Sequence, residues 1–213
     1  YVSWDLTPRQ ICDLELLMNG GFYPLKGFLP EEDYNCVLED MRLKDGSLWP
    51  IPITLDVSKN FSKNLKLGEQ ISLRNLEGVI LAILQINSIW VPDKIYEAEK
   101  IFKTTDEKHP GVNFLLNETG EVYLGGDITG LEKPHHYDFK SRRQTPNELR
   151  KYFRKMGWQK IVAFQTRNPL HRAHQELTLK AARDVEANLL IHPVVGMTKP
   201  GDVDHFTRVR CYE

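Results

Sequence analysis

Ile161-Val-Ala-Phe-Gln165 is a short apolar run typical of a buried β-strand, and Leu189-Leu-Ile-His-Pro-Val-Val195 is a second run of the same kind. Between them, the segment from Leu170 to about Glu186 has helical spacing and contains strong helix formers. A strand, a helix and a strand joined by short connections predict a βαβ unit with parallel strands and a right-handed crossover. Ligands bind beyond the carboxyl ends of such strands, so a functional site is expected in the loops that follow them.

The chain before this unit predicts a β-rich domain that opens with two helices. Thr7, Pro8 and Gln10 mark the start of the first, because Thr can cap, Pro suits the first turn and Gln completes a capping box. This helix should end at Gly20-Gly21, and the second should span Pro30 to Met41. The apolar side of the second helix is expected to be Tyr34, Val37, Leu38 and Met41. The predicted strands are residues 49–57, 70–73, 79–91 and 121–131, with a short helix at 96–103.

A connector, Lys133-Pro-His-His-Tyr-Asp-Phe139, separates two regions of opposite charge. Residues 1–139 carry a formal charge of −9 and residues 140–213 a charge of +8. We therefore predict an N-terminal domain of residues 1–138 and the first part of a second domain in residues 139–213. The basic charge of the second region indicates an anionic ligand.

The second region opens with another helix signature, the capping box Thr145-Pro-Asn-Glu148. Leu149, Phe153 and Met156 are expected to face a core, and Gly157 should end the helix.

The composition of the 213 residues, 41% hydrophobic and 27% charged, is that of an ordinary globular protein. No apolar run approaches the ~20 residues of a membrane-spanning helix, and the first ten residues lack a secretory signal. Cys12, Cys36 and Cys211 form no CxxC pair, which argues against a disulfide framework and favours a cytoplasmic setting. We expect no membrane partner, and no nucleic-acid partner because the N-terminal region is acidic.

Groups that bind anions are concentrated in the loop Gln165-Thr-Arg-Asn-Pro-Leu-His-Arg-Ala-His174. His171 and His174 are one helical turn apart, so both rings should face the same way at a helix N-terminus, which favours a negative ligand. Arg167 can hold an oxyanion with two parallel hydrogen bonds. Neutral donors are added by Gln165, Thr166 and Asn168. This set suits a polyphosphate with room for a second tetrahedral anion, and a second polar loop, Gly196–Asp202, follows the other strand.

Zinc is a poor alternative for the two histidines. The HxxH spacing lacks the glutamate of HExxH and an obvious third ligand, so we predict no metal bound directly by the chain.

The loop Gln165–His174 closely resembles the signature of the ATP sulfurylase (sulfate adenylyltransferase) family. Further blocks that look like this family are His192–Asp202, His205–Arg210, Asp13–Phe22, Pro24–Phe28 and Trp49–Asp56, so the resemblance covers the chain from end to end. It implies an α/β fold class in which a β-rich PUA-like domain precedes a Rossmann-like nucleotidyltransferase domain, here truncated.

The family resemblance also implies an activity: transfer of the adenylyl group of MgATP to sulfate, giving adenosine 5′-phosphosulfate and pyrophosphate. Gln165 and Arg167 would contact sulfate, and Gln165 to Asn168 would line the nucleotide phosphates. Thr166, Arg167 and Asn168 are the positions usually named as active-site residues in the family. His171 and His174 would stabilise charge on the α- to γ-phosphates, and Mg²⁺ would be bound with ATP on the phosphate oxygens.

The family has a further Gly-Arg-Asp-His-Ala-Gly motif, which binds nucleotide and sulfate and is absent from this chain. We therefore expect an N-terminal portion of such an enzyme, with a homo-oligomer as the full-length form and a fused or partner adenosine-phosphosulfate kinase. Two alternatives stay open. One is another nucleotidylyltransferase with an HxGH-type motif, although Ala173 stands where those enzymes have Gly. The other is a non-catalytic fragment or PUA-like binding module.

Overall fold

The computed structural model describes residues 2–195 and 201–212. The chain divides into two compact units, Tyr1–Pro146 and Asn147–Glu213. The predicted domain boundary between residues 138 and 139 stays a prediction. None of the helices in the described ranges is long and apolar enough to cross a membrane.

The first unit is built on a six-stranded mixed sheet with helices inserted between its strands. Its strands are β1 (Val2–Asp5), β2 (Gly27–Phe28), β3 (Leu55–Val57), β4 (Gln70–Arg74), β5 (Ile80–Trp90) and β6 (Val122–Gly130). Its helices are α1 (Pro8–Asn19), α2 (Glu31–Asp40), α3 (Lys59–Ser62), α4 (Lys94–Phe102) and α5 (Pro110–Asn117), followed by a 3₁₀ turn at Lys140–Arg142. The strand order is β1-β4-β5-β6-β2, and β3 also pairs with β6. Strand β1 is parallel to β4, and the other pairs are antiparallel.

The sequence predicts the start and end of α1 correctly. The Thr7 side chain accepts from the Gln10 N–H, the Gln10 side chain accepts from the Thr7 N–H, and Gly20 ends the helix in the left-handed conformation (φ 81°). Leu14 and Leu17 are buried against the sheet, in a core that includes Leu55, Leu73, Leu84 and Leu124. Burial of such leucines contributes about 1.5–3 kcal/mol each and holds the helix on the sheet.

Two predictions in this unit are wrong in part. Met41 does not lie on the apolar side of α2: it follows the last helical residue in the left-handed conformation (φ 52°), and 56% of its surface is exposed. The predicted strand 49–57 is a strand only over Leu55–Val57, because Pro50 and Pro52 have no N–H to donate to a neighbouring strand.

The second unit contains the predicted βαβ unit. It comprises β7 (Ile161–Thr166), α7 (Arg172–Asp184) and β8 (Asn188–Pro193), preceded by α6 (Pro146–Lys155) and followed by α8 (His205–Arg210). Strands β7 and β8 are parallel, in register from Ile161 opposite Asn188 to Thr166 opposite Pro193. The parallel pairing confirms the prediction and places the loops after β7 and β8 at the same edge of the sheet.

Helix α6 ends as the sequence predicts, but the side predicted to face a core is only partly covered. Gly157 adopts φ 69°, and the Trp158 N–H donates to the Phe153 carbonyl. Leu149 and Phe153 are half-buried, and Met156 is 48% exposed, which corrects the prediction for Met156. Phe153 instead stacks on Trp158, with ring centroids 5.9 Å apart.

Candidate active site

The loop after β7 begins with a turn that Thr166 closes. This residue is the last of the strand and is 9% exposed. Its Oγ1 accepts from the Asn168 N–H at 3.1 Å and donates to the Asn168 carbonyl at 3.2 Å. A hydroxyl bonded in this way supports a local turn, and Pro169 then prevents the strand from continuing. The chain therefore leaves the sheet directly at its carboxyl edge.

Arg167 joins this loop to the end of the loop that follows β8. Its Nη2 lies 3.0 Å from Oδ2 of Asp202, and the two side chains are 40% and 23% exposed. A half-exposed guanidinium with one bonded edge keeps further N–H donors for a ligand. Of the predicted second loop, Gly201 and Asp202 are described, and Gly196–Pro200 lie outside the described residues.

The two histidines lie side by side at the start of α7. Their ring centroids are 3.9 Å apart, as the spacing of one helical turn predicts. His171 is the N-cap residue of α7 and is exposed, and the first turn of the helix contains no acidic residue. His174 is half-buried: its ring lies 5.6 Å from that of Phe164, and its buried Nδ1 has no hydrogen-bond partner among the described residues.

The amide side chains of Gln165 and Asn168 are both exposed. Gln165 lies opposite His192 in the β7–β8 ladder, at the last pair but one. Asn168 is fixed through its main chain, since its carbonyl also accepts from the Tyr212 hydroxyl at 2.6 Å. Neither amide has a side-chain partner within the described ranges, so both can donate to a ligand.

All six residues that the sequence predicts for the site lie in the segment from the end of β7 to the first turn of α7, and the structure brings the rings of His171 and His174 into contact. The predicted residues are Gln165, Thr166, Arg167, Asn168, His171 and His174. The donors of these residues are cationic or neutral, and the segment ends at the N-terminus of α7, where free N–H groups and the helix dipole attract anions. Over residues 2–195 and 201–212, no cluster of three or more His, Cys, Asp or Glu could hold a metal ion. The chemistry of this donor set suits phosphate or sulfate.

Three residues at this edge are not among those that the sequence predicts for the site. Asp202 pairs with Arg167, Tyr212 binds the Asn168 carbonyl, and the buried Arg208 binds the Val194 and Val203 carbonyls. No local spacing could have found these contacts, because each joins residues distant in sequence. The signal in the sequence was the family resemblance of the blocks His192–Asp202 and His205–Arg210, which contain Asp202 and Arg208.

Two family models match the chain. Residues 1–133 match a PUA-like domain, and residues 140–213 match ATP-sulfurylase. The chain therefore contains, in residues 140–213, a region of the ATP sulfurylase family. Its first 133 residues are a PUA-like domain, and the prediction of this domain followed by a nucleotidyltransferase-like region is confirmed.

Similar sulfate adenylyltransferases occur in several fungi. That of Saccharomyces cerevisiae is 52% identical over 210 residues, which are 99% of this chain and 41% of that protein. The Candida albicans protein is 54% identical over 221 residues, 98% of this chain and 42% of its own length. The Aspergillus clavatus protein is 55% identical over 211 residues, 98% of this chain and 37% of its own length. The chain therefore spans about two-fifths of these ATP sulfurylase relatives.

A solved structure is also similar, described as a hexameric APS kinase from Thiobacillus denitrificans. The two chains superpose with a TM-score of 0.74 at 37% sequence identity. The match covers 99% of this chain and 38% of that one.

Proposed function

We propose that this chain is part of a sulfate adenylyltransferase, which transfers the adenylyl group of MgATP to sulfate. The observation that carries the proposal is the loop between β7 and α7. It holds the family signature Gln165–His174 at the carboxyl edge of a parallel sheet, with an arginine, two histidines and a helix N-terminus together.

The roles that we propose for the residues are those that the family resemblance implies, and the donors of the side chains fit them. Arg167 and Gln165 bind sulfate, because a guanidinium and an amide N–H match its oxygens. The segment from Gln165 to Asn168 lines the nucleotide phosphates. His171 and His174 stabilise the negative charge that develops on the α- to γ-phosphates during transfer.

The proposed reaction is a direct displacement without a covalent enzyme intermediate. An oxygen of sulfate forms a bond to the α-phosphorus, and the bond from that phosphorus to the bridging oxygen of pyrophosphate breaks. Sulfate is a weak nucleophile with two negative charges. The enzyme must therefore act by holding two anions together and by compensating their charge, a role that we assign to Arg167 and the histidine pair.

Mg²⁺ enters this proposal with ATP. The donor set of the loop suits the phosphates, and the metal would supply charge compensation on the β- and γ-oxygens when bound. Asp202 is the ion-pair partner of Arg167, so we do not assign it to the metal.

The proposal also covers the cellular location and the protein partners of the enzyme. We place the enzyme in the cytoplasm, as a homo-oligomer associated with an adenosine-phosphosulfate kinase, fused or separate. The similar structure from Thiobacillus denitrificans, described as a hexameric APS kinase, supports both the homo-oligomer and the association with this kinase.

Two other functions are disfavoured by specific observations. An enzyme of the HxGH type would have Gly where this chain has Ala173, and its rate would not depend on sulfate. A PUA-like module that binds RNA would need a basic surface, but residues 1–139 carry a charge of −9. Salt-dependent RNA binding by the chain would favour the second alternative.

The test runs the reaction in reverse. Adenosine 5′-phosphosulfate, pyrophosphate and Mg²⁺ are supplied and ATP is detected, for the chain, for the full product of its gene, and for each with Arg167→Ala. ATP formation that falls on the order of 10²–10³-fold in the variant supports the proposal. Absence of ATP with the folded full product would refute it.

A further inference from the structure

Arg208 in α8 is among the most buried side chains of the protein, with 1% of its surface exposed. Among the described residues, no carboxylate forms an ion pair with Arg208 and no group accepts a hydrogen bond from its buried Nε. Burying a cation without a counter-charge costs free energy of folding. The hydrogen bonds that Arg208 makes must offset this cost.

The guanidinium of Arg208 holds two separate points of the main chain. Nη1 donates to the Val194 carbonyl at 2.5 Å, and Nη2 donates to the Val203 carbonyl at 2.6 Å. Val194 directly follows β8, and Val203 directly follows Asp202. One rigid, planar group therefore fixes the chain on both sides of the second loop.

This anchorage reaches Arg167 through Asp202. The main chain of Val203 is held by Arg208, and the carboxylate one residue earlier binds the Arg167 Nη2 at 3.0 Å. A path of contacts thus leads from the interior of the second unit to the Arg167 guanidinium.

The same helical region also holds the first loop. Tyr212 lies one turn beyond Arg208, and its hydroxyl donates to the Asn168 carbonyl at 2.6 Å. Arg208 and Tyr212, four residues apart, therefore hold the main chain that follows β8 and the main chain that follows β7.

We propose that Arg208 is a positioning residue for the anion site: it orients Arg167 through Asp202, while Tyr212 fixes the neighbouring loop. This inference rests on the proposed function, in which Arg167 binds the anionic substrate. Neither Arg208 nor Tyr212 needs to touch the ligand. Their effect on binding comes from the placement of groups that do.

The test measures the dissociation constant for adenosine 5′-phosphosulfate in the full product of the gene, together with the thermal unfolding midpoint. Arg208→Lys keeps the charge but cannot bridge two carbonyls as a planar fork, and Tyr212→Phe removes one hydroxyl without changing shape. We expect each to weaken binding on the order of tenfold to a hundredfold. Arg210→Lys is the matched control, since Arg210 lies in the same helix and is exposed, and it should bind as the unaltered protein does.

A second background separates positioning from a general loss of structure. When Asp202 is already replaced by Ala, Arg208→Lys should weaken binding by less than about threefold, because the path to Arg167 is already broken. A full effect in that background, or no effect of Arg208→Lys in the unaltered protein, would overturn the inference. If Arg208→Lys does not fold, unchanged binding by Tyr212→Phe overturns the inference. Absence of binding by the unaltered protein instead refutes the proposed function, and the inference with it.

Discussion

The Nε2 of Gln10 donates to the main-chain carbonyl of Asp56 at 2.7 Å and to its Oδ1 at 2.9 Å. The Oε1 of the same fully buried side chain accepts from the Thr7 N–H at 3.0 Å and from the Trp4 Nε1 at 3.2 Å. Gln10 thus uses both amide hydrogens and its oxygen. It completes the capping box of α1 and also attaches that helix to β3.

Gln10→Glu is expected to destabilise the protein by about 3 kcal/mol. Glutamate serves equally well in a capping box. At this position, however, it would lack the two N–H donors that bind Asp56 and would place a second carboxylate against that residue. Urea unfolding at pH 7 measures the loss, and the loss should shrink at low pH, where the new carboxyl is protonated. Thr7→Ala, which removes only the cap, is the comparison and should cost about 1 kcal/mol. Equal stability of Gln10→Glu and the unaltered protein would contradict the expectation.

Glu97 makes the stability of the first unit depend on pH. Burial raises the pKa of Glu97, against the opposing effect of hydrogen bonds from the Tyr34 and Tyr123 hydroxyls at 2.9 and 3.0 Å, and of the positive charges of Lys94 and Arg9. Because the folded-state pKa is above the unfolded value, the stabilising contribution is complete at low pH and is lost as pH rises through the folded pKa.

Glu97→Gln should remove this dependence, because the amide oxygen can still accept from both tyrosines and carries no charge. The free energy of unfolding of the variant should exceed that of the unaltered protein by an amount that grows from pH 4 to pH 8. Chemical unfolding across this range checks it. A constant difference, or one that falls with pH, would show that the buried carboxyl does not control the slope.

Gly126 permits the close approach of β5 and β6. A Cβ at this position would lie 1.9 Å from the Gln85 carbonyl oxygen, in the middle of the sheet. We expect Gly126→Ala to destabilise by about 3 kcal/mol or more, because main chain must move. Gly46→Ala is the control: its φ is also positive, at 86°, but no atom lies within 4 Å, so its cost should be about 1 kcal/mol. Similar thermal unfolding midpoints for the two variants would refute the steric argument.

Sequence patterns predicted those parts of the fold that depend on nearby residues. Helix α1 follows from Thr7, Pro8 and Gly20, and the strands β7 and β8 follow from apolar runs of strand length. Strand β1, which was not predicted, is only four residues long and half-exposed, and it is a strand because it pairs with β4. Pairing of this kind depends on partners far along the chain.

In the candidate site, too, the features that depend on nearby residues could be predicted, and the contacts between distant residues could not. The loop from Gln165 to His174 could be predicted because it is continuous and follows a recognisable strand. The contacts of Asp202, Arg208 and Tyr212 could not, since each depends on where α8 meets the ends of two strands. Burial of Arg208 also opposes the usual preference of arginine for the surface.

The two site histidines should differ in what their loss does to the protein. We expect His171→Ala and His174→Ala each to lower the rate of ATP formation from adenosine 5′-phosphosulfate and pyrophosphate on the order of 10²–10³-fold, because each removes a group that compensates phosphate charge. His174→Ala should also cost about 1 kcal/mol more stability than His171→Ala, since only His174 packs on Phe164, at 5.6 Å between ring centroids. Rates and urea midpoints are measured together. If His171→Ala lost stability but kept its rate, the exposed ring would be structural, and its assignment to the phosphates would be wrong.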